Sequence, residues 1–411
     1  MKSQDLFSPH PQLTSSDHLK NEHLKTDSLE TDELKYTLAL KLIRGIGNIT
    51  AVRLIEYFGS AQQVFKASTE QLAECGLSGK QIQNRYNVDE SKLEQLMDWA
   101  NVANRQIIPI TSTLYPRPLK NIHSPPILLF TIGNAELLQS LQLAVVGSRN
   151  PTSQGLCITE NLCGELVNQG VTITSGMALG IDGQAHRTAL INGGYTVAVT
   201  GTGLNRIYPA QHRELAYQIA HHGLLVSEKF PDETFNKGSF QQRNRIIAGL
   251  SCGTLVVEAA AKSGSLITAR IALEEGRDVF AVPGSIYNPL AKGCHALLKQ
   301  GAKLTETAED ILEEIMAHRP LAQTRLQPAL SVLTEKKQSG VQLDEKYRTT
   351  EIDTSIDEQT SAFLRCIDYD ITPLDTIIQR SELTVEAATN KLLMLELEGR
   401  VINTAGGYIR R

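Results

Sequence analysis

Between Leu143 and Ile315 the sequence alternates short, β-branched apolar runs with longer helical stretches, and this alternation constrains the fold more than any other feature. The runs Leu143 to Val146, Val171 to Thr174, Thr196 to Val199, Leu224 to Ser227, Thr254 to Val257 and Val279 to Val282 are too short for helices. They are apolar at successive positions, the pattern of strands covered on both faces. Helical patterns fall between them, at Gln154 to Asn168, Asp182 to Asn192, Ala210 to His221, Phe240 to Leu250 and Leu266 to Glu275. Parallel neighbours need such crossovers, so the segment predicts a doubly wound, Rossmann-like α/β sheet.

A chain of 411 residues is too long for one ordinary domain, and the flanks read differently. Residues 1–34 are rich in Ser, Asp, His, Lys and Glu and predict a mobile tail that cannot bury enough surface to order itself. Residues 35–105 carry apolar positions at helical spacing, broken at Gly45-Ile46-Gly47 and Gly59-Ser60, and predict a small helical domain. The sheet domain is then expected over 106–316 and a Pro-, Gln- and Thr-rich linker over 317–356. Residues 357–411 show three short helical patterns, then Arg400 to Thr404, a Gly406-Gly407 turn and Tyr408 to Arg410, which predicts a winged helix.

Composition narrows the function classes. No run of about eighteen apolar residues occurs, and the polar start lacks the pattern of a secretion signal, so a cytoplasmic protein without membrane contact is expected. The six cysteines are scattered, without a C-x-x-C pair, which suggests reduced thiols rather than zinc ligands or a disulfide framework. Net charge is -5, so any nucleic-acid contact must come from a local basic cluster.

Three strand ends open into small-residue loops. These are Gly147-Ser148-Arg149, then Ser175-Gly176 running to Gly180-Ile181-Asp182, and Ser263-Gly264-Ser265 running to Thr268. In parallel sheets ligands bind beyond the carboxyl ends of strands, where helix N-termini expose N–H groups. Gly147 permits close backbone approach, Ser148 adds a hydroxyl, and Arg149 can hold a phosphate by two parallel hydrogen bonds. Isolated glycines after strands are ordinary turn chemistry; three such loops together predict an anion-binding ledge. Neither a G-x-G-x-x-G nor a Walker sequence is present, so no nucleotide cofactor is expected. Lys237, Arg243 and Arg245 cluster beside Phe240 at the start of a helix, placed either to track a phosphate backbone or to pair internally with Glu228 or Glu258.

These segments, with Ala185-His186, Ile207-Tyr208-Pro209, Arg243 to Ser251 and Val282-Pro283-Gly284, resemble the DprA/Smf family over about residues 120–315. The resemblance implies an extended Rossmann-like core with a sterile-alpha-like helical domain before it and a winged helix after it. It also implies homodimers that bind and protect single-stranded DNA during natural transformation and load the RecA recombinase on it. The implied DNA pocket contains Ser148, Arg149, Ser175, Gly176, Lys237, Arg243, Gly264 and Ser265; Gly147, Arg245 and Thr268 complete the candidate set. Leu179 stands where many relatives carry a basic residue. Ile43 to Asn48 is similar to a helix-hairpin-helix turn, a resemblance that implies backbone amides able to meet a DNA phosphate, and serves equally as a packing turn between helices. Catalysis is not expected, although Asp182, His186 and Glu258 could in principle do acid–base work. The alternative is a nucleotide hydrolase like the LOG phosphoribohydrolases, but Leu250-Ser251-Cys252 replaces the glycines that would cradle its phosphate.

Overall fold

A computed structural model describes residues 24–235, 238–317, 360, 363–364, 366–368, 371–404 and 406–410. It divides into two units, residues 1–312 and 313–411.

Among the described residues the first unit begins with six α-helices: α1 (Leu24–Leu42), α2 (Asn48–Phe58), α3 (Ala61–Lys66), α4 (Thr69–Glu74), α5 (Gly79–Asn84) and α6 (Glu90–Ala100). Their starts are written locally. Ser60 and Asp89 accept hydrogen bonds from backbone amides three residues on, while Ser68 with Gln71 and Ser78 with Gln81 form reciprocal capping boxes. The expectation of a tail up to residue 34 is corrected here, because α1 starts at Leu24. The Glu33 carboxylate accepts hydrogen bonds from the Ala61 and Gln62 amides, a long-range anchor at the start of α3.

Nine strands form one sheet: β1 (Arg105–Pro109), β2 (Leu128–Gly133), β3 (Gln142–Val146), β4 (Thr172–Ser175), β5 (Thr196–Val199), β6 (Leu224–Ser227), β7 (Gly253–Val256), β8 (Asp278–Ala281) and β9 (Lys303–Leu304). Their order is β1-β2-β6-β5-β4-β3-β7-β8-β9. Pairing is parallel from β6 to β9, whereas β1–β2 and β2–β6 are antiparallel. From the central β3 the chain winds outward through β4, β5 and β6, then returns to β7 on the other side of β3. That reversal puts a switch point beside β3, the usual location of a ligand crevice.

The remaining described helices of this unit are α7 (Arg117–Lys120), α8 (Ser153–Asn168), α9 (Ile181–Ile191), α10 (Arg213–His222), α11 (Ser239–Leu250), α12 (Ser265–Glu274) and α13 (Lys292–Lys299), and α14 (Ala308–Ala317) runs across its end at residue 312. Helical segment and sheet share one apolar core. Trp99 packs edge-on against Phe130 at 5.7 Å and donates from Nε1 to Asn205 Oδ1 at 2.9 Å. Burying each such large side chain contributes about 1.5–3 kcal/mol, so the helices and the sheet stabilise one another.

The second unit has its own core of Phe363, Leu364, Ile367, Ile377, Ala388, Leu392, Leu395 and Val401. Helices α15 (Leu374–Ser381) and α16 (Val385–Leu397) precede an antiparallel hairpin of β10 (Val401–Thr404) and β11 (Gly407–Arg410). Thr384 caps α16 as its sequence position predicts, its hydroxyl accepting from the Ala387 amide at 3.3 Å. The expected linker, but for Ala317, lies outside the described residues.

Candidate nucleic-acid interface

The loops after β3 and β4 interlock. The Ile181 amide donates to the Ser148 carbonyl at 3.1 Å, and Ser175 Oγ donates to the Val145 carbonyl at 2.6 Å. A Cβ on Gly147 would come within 2.6 Å of the Ile181 side chain, so glycine is the residue that lets the loops close. The buried Asp182 carboxylate ties the second loop down by accepting from the amides of Gly176, at 3.2 Å, and Ala178, at 3.4 Å. Ser148 sits almost buried at this junction and Arg149 projects into solvent.

Helix α11 sends Arg243 beneath the ledge. Its Nη1 donates to the Val199 carbonyl at 3.3 Å, and a Cβ on Gly176 would lie 1.4 Å from that nitrogen, so only glycine leaves room for the guanidinium. Burial pushes the Arg243 pKa down to about 10, against the attraction of Asp182, so it stays charged at neutral pH. Burial likewise pushes the Asp182 carboxyl up, with Arg243 opposing. The guanidinium carbons of Arg149 and Arg243 lie 5.7 and 6.0 Å from the Phe240 ring centre, within cation–π range.

An aromatic cluster adjoins these cations. Tyr208 and Phe235 are 4.7 Å apart between ring centres, and each lies within 6 Å of Phe240, at 5.6 and 5.7 Å. Tyr208 is 45% exposed and Phe235 47%, which leaves ring surface open to a ligand. Sequence reasoning missed Phe235 and gave Tyr208 no role, since loop aromatics carry no periodic signal; aromatics interleaved with cations were the available clue.

Other candidates are placed differently. The Ser265 amide donates to Ser263 Oγ at 3.3 Å, and Gly264 is open to solvent at the start of α12. Thr268 is fully buried inside that helix and presents nothing to a ligand. Arg245 points away from Arg243, ion-paired with Glu228 and donating to the Ser124 carbonyl. Lys237 lies outside the described residues. Of the candidate catalytic acids, Glu258 accepts from the Thr152 amide at 2.9 Å and from its hydroxyl at 2.6 Å, fixing the start of α8. His186 is buried, with Nδ1 2.6 Å from Thr196 Oγ1, and burial pushes its pKa down to about 3.

In the second unit, helix α16 presents exposed Val385, Leu393, Met394 and Leu397 among Glu386, Glu396 and Glu398. Its Lys391 lies 5.6 Å from the Phe363 ring centre, a contact within the unit. An apolar and acidic face suits a protein surface better than a phosphate backbone.

Strand-end loops stocked with small residues, arginine and open aromatic rings define a Rossmann-like protein whose site suits a phosphate polymer. The family described as DNA recombination-mediator protein A matches residues 106–316, and the DprA winged helix domain matches 349–407. Protein Smf of Escherichia coli is 39% identical over 82% of this chain and 86% of its own length. The DNA processing protein DprA of Streptococcus pneumoniae is 40% identical over 66% of this chain and 94% of its own. The solved structure of DprA from Streptococcus pneumoniae superposes with a TM-score of 0.61 at 38% identity, covering 69% of this chain and 96% of that one. The chain belongs to the DprA/Smf family.

Proposed function

We propose that this chain binds single-stranded DNA across the ledge formed by Gly147, Ser148, Arg149, Ser175 and Gly176, with Gly264 and Ser265 beside it. It would protect incoming strands during natural transformation and load RecA recombinase on them. The observation that carries this reading is the exposed Arg149 over the Phe240 ring, against which the half-exposed rings of Tyr208 and Phe235 pack, with Arg243 held charged underneath. Phosphates meet the arginine and the loop amides, while unpaired bases lie against the rings. Duplex DNA keeps its base faces stacked, so the site favours single strands. Family membership supports the same reading, as do relatives named for DNA processing. A homodimer would set two ledges on one strand and raise avidity through effective concentration.

The reading assigns no catalysis. Both oxygens of Glu258 are committed to Thr152, and Asp182 is buried under its own loop, which weighs against the nucleotide-hydrolase alternative. The test is binding of labelled single- and double-stranded oligonucleotides by wild-type and Arg149→Ala protein across a salt series. Single-strand preference that weakens with salt and is lost in the variant is the expected result. Equal binding by a folded variant, or none by wild type, would overturn it.

A further inference from the structure

The ledge makes no use of Val282-Pro283-Gly284, yet the chain beyond it opens at the same edge of the sheet. β3, β7 and β8 are parallel neighbours, so the loops that follow them emerge side by side. Neighbouring strands lie about 4.8 Å apart, which sets the loop after β8 about 10 Å from the loop after β3. The loop after β7, running into Ser263-Gly264-Ser265, lies between them.

At its tip the loop after β8 turns back on itself. The Asn288 amide donates to the Ser285 carbonyl at 3.0 Å, which puts Ile286 and Tyr287 at the two central positions of a four-residue turn. Those positions ordinarily go to Gly, Pro, Asn, Asp or Ser, and the turn itself does not call for large apolar side chains. Ile286 is 69% exposed and Tyr287 86%, the highest value for a large apolar side chain among the described residues. The turn is nevertheless tied down. Ser285 Oγ accepts from the Tyr287 amide at 3.3 Å, and Asn288 Oδ1 accepts from the Leu290 amide at 2.9 Å. The Ala259 amide donates to the Leu290 carbonyl and the Gly293 amide to the Ala259 carbonyl, both at 2.7 Å, which clamps the turn to the loop after β7. A ring carried on so fixed a backbone loses little freedom when a ligand covers it.

Charge selects the ligand. The edge segments 147–152, 176–180, 259–264 and 283–292 contain Arg149, Lys262 and Lys292 and no Asp or Glu, in a chain whose net charge is -5. Both lysines are exposed. Cations on either side of an open aromatic ring are what a single-strand path is made of. Resting on the single-strand reading of the ledge, we infer that the strand continues past it, over Gly264, to the turn after β8. There a base stacks on Tyr287 beside Ile286, and Lys262 and Lys292 meet the flanking phosphates.

Titration of the full-length protein with labelled oligothymidylate over a salt series tests this. Tyr287→Ala should weaken binding about fivefold or more, the lower end for base–aromatic stacking, and Tyr287→Trp should retain it. Emission of the Tyr287→Trp protein should fall as strand is added, whereas wild type, whose one tryptophan is the buried Trp99, should not respond. Replacing Lys262 and Lys292 together by Gln should reduce the slope of log affinity against log salt by about 1.4, the single-strand value for two contacts. Binding that is lost in Arg149→Ala but unchanged in a Tyr287→Ala protein of wild-type melting behaviour overturns this extension alone. A wild type that binds no strand overturns the ledge and the extension together. If Tyr287→Ala instead lowers the mass found by sedimentation without DNA, the turn is a contact between copies of the chain, and the inference is equally overturned.

Discussion

The ledge above β3 and β4 and the seam between the helical segment and β6 draw arginines from the same helix, two residues apart, and use them oppositely. At the ledge, Arg243 is buried with Asp182 as its counter-charge, and Arg149 is left exposed over the Phe240 ring. At the seam, Arg245 is taken up by Glu228 and the Ser124 carbonyl, so the pair locks two parts of one core together. Two residues turn a helix by about 200°, so Arg243 and Arg245 must face opposite ways. Basic residues counted along a sequence thus overstate the charge a ligand meets.

The largest effect that would sharpen this contrast is expected for Asp182→Ala. It strips the buried Arg243 of its counter-charge and leaves the Gly176 and Ala178 amides without an acceptor, at a cost of about 3–5 kcal/mol. Urea unfolding should show the loss, and a variant as stable as wild type would mean that Asp182 does not hold the ledge together. Arg245→Ala comes next. It opens a mostly buried pair, with side chains 16% and 14% exposed, so stability should fall by about 2–3 kcal/mol while single-strand affinity stays within about twofold. A large affinity loss in the folded variant would break the division of labour. Arg149→Ala should do the reverse, leaving melting unchanged and weakening single-strand binding about thirtyfold, near 2 kcal/mol.

Much of the sheet was legible because its strands are buried on both faces. Thr196–Val199 and Leu224–Ser227 coincide with the sequence expectation, the strand expected from Leu143 begins one residue earlier, and the other three expected strands shift by a residue. β1 and β2 were missed: both are antiparallel additions outside the strand–helix alternation, and Pro109 ends the first. The start of α1 was missed because part of what orders it is remote, the docking of Glu33 on the first amides of α3. At the site, the need for glycine at 147 could be read from a strand-end loop. Its need at 176 depends on where Arg243 travels, which only the tertiary fold decides. The same holds for the choice of Arg243 over Arg245, although their opposed helical directions were visible in the spacing.

The smallest predicted effect concerns acid. Beneath the ledge, His186 is buried neutral with its pKa pushed down to about 3, and His212, also lowered by burial, pairs through Nδ1 with the Met177 carbonyl at 3.0 Å. The cleft at the seam, lined by Lys41, Asn48, Glu228 and Arg245 among others, has no histidine in its lining. For His186 the unfolded chain takes up a proton near pH 6.5 and the folded one does not until about 3. Stability from its burial is therefore present above 6.5 and is lost progressively as pH falls toward 3, at up to about 1.4 kcal/mol per pH unit. Between pH 7.5 and 5.5 that single group should cost about 1.4 kcal/mol in urea unfolding. In His186→Gln protein the step should shrink by that amount. If it does not, the ledge does not rest on a neutral His186, and acid acts on both regions alike.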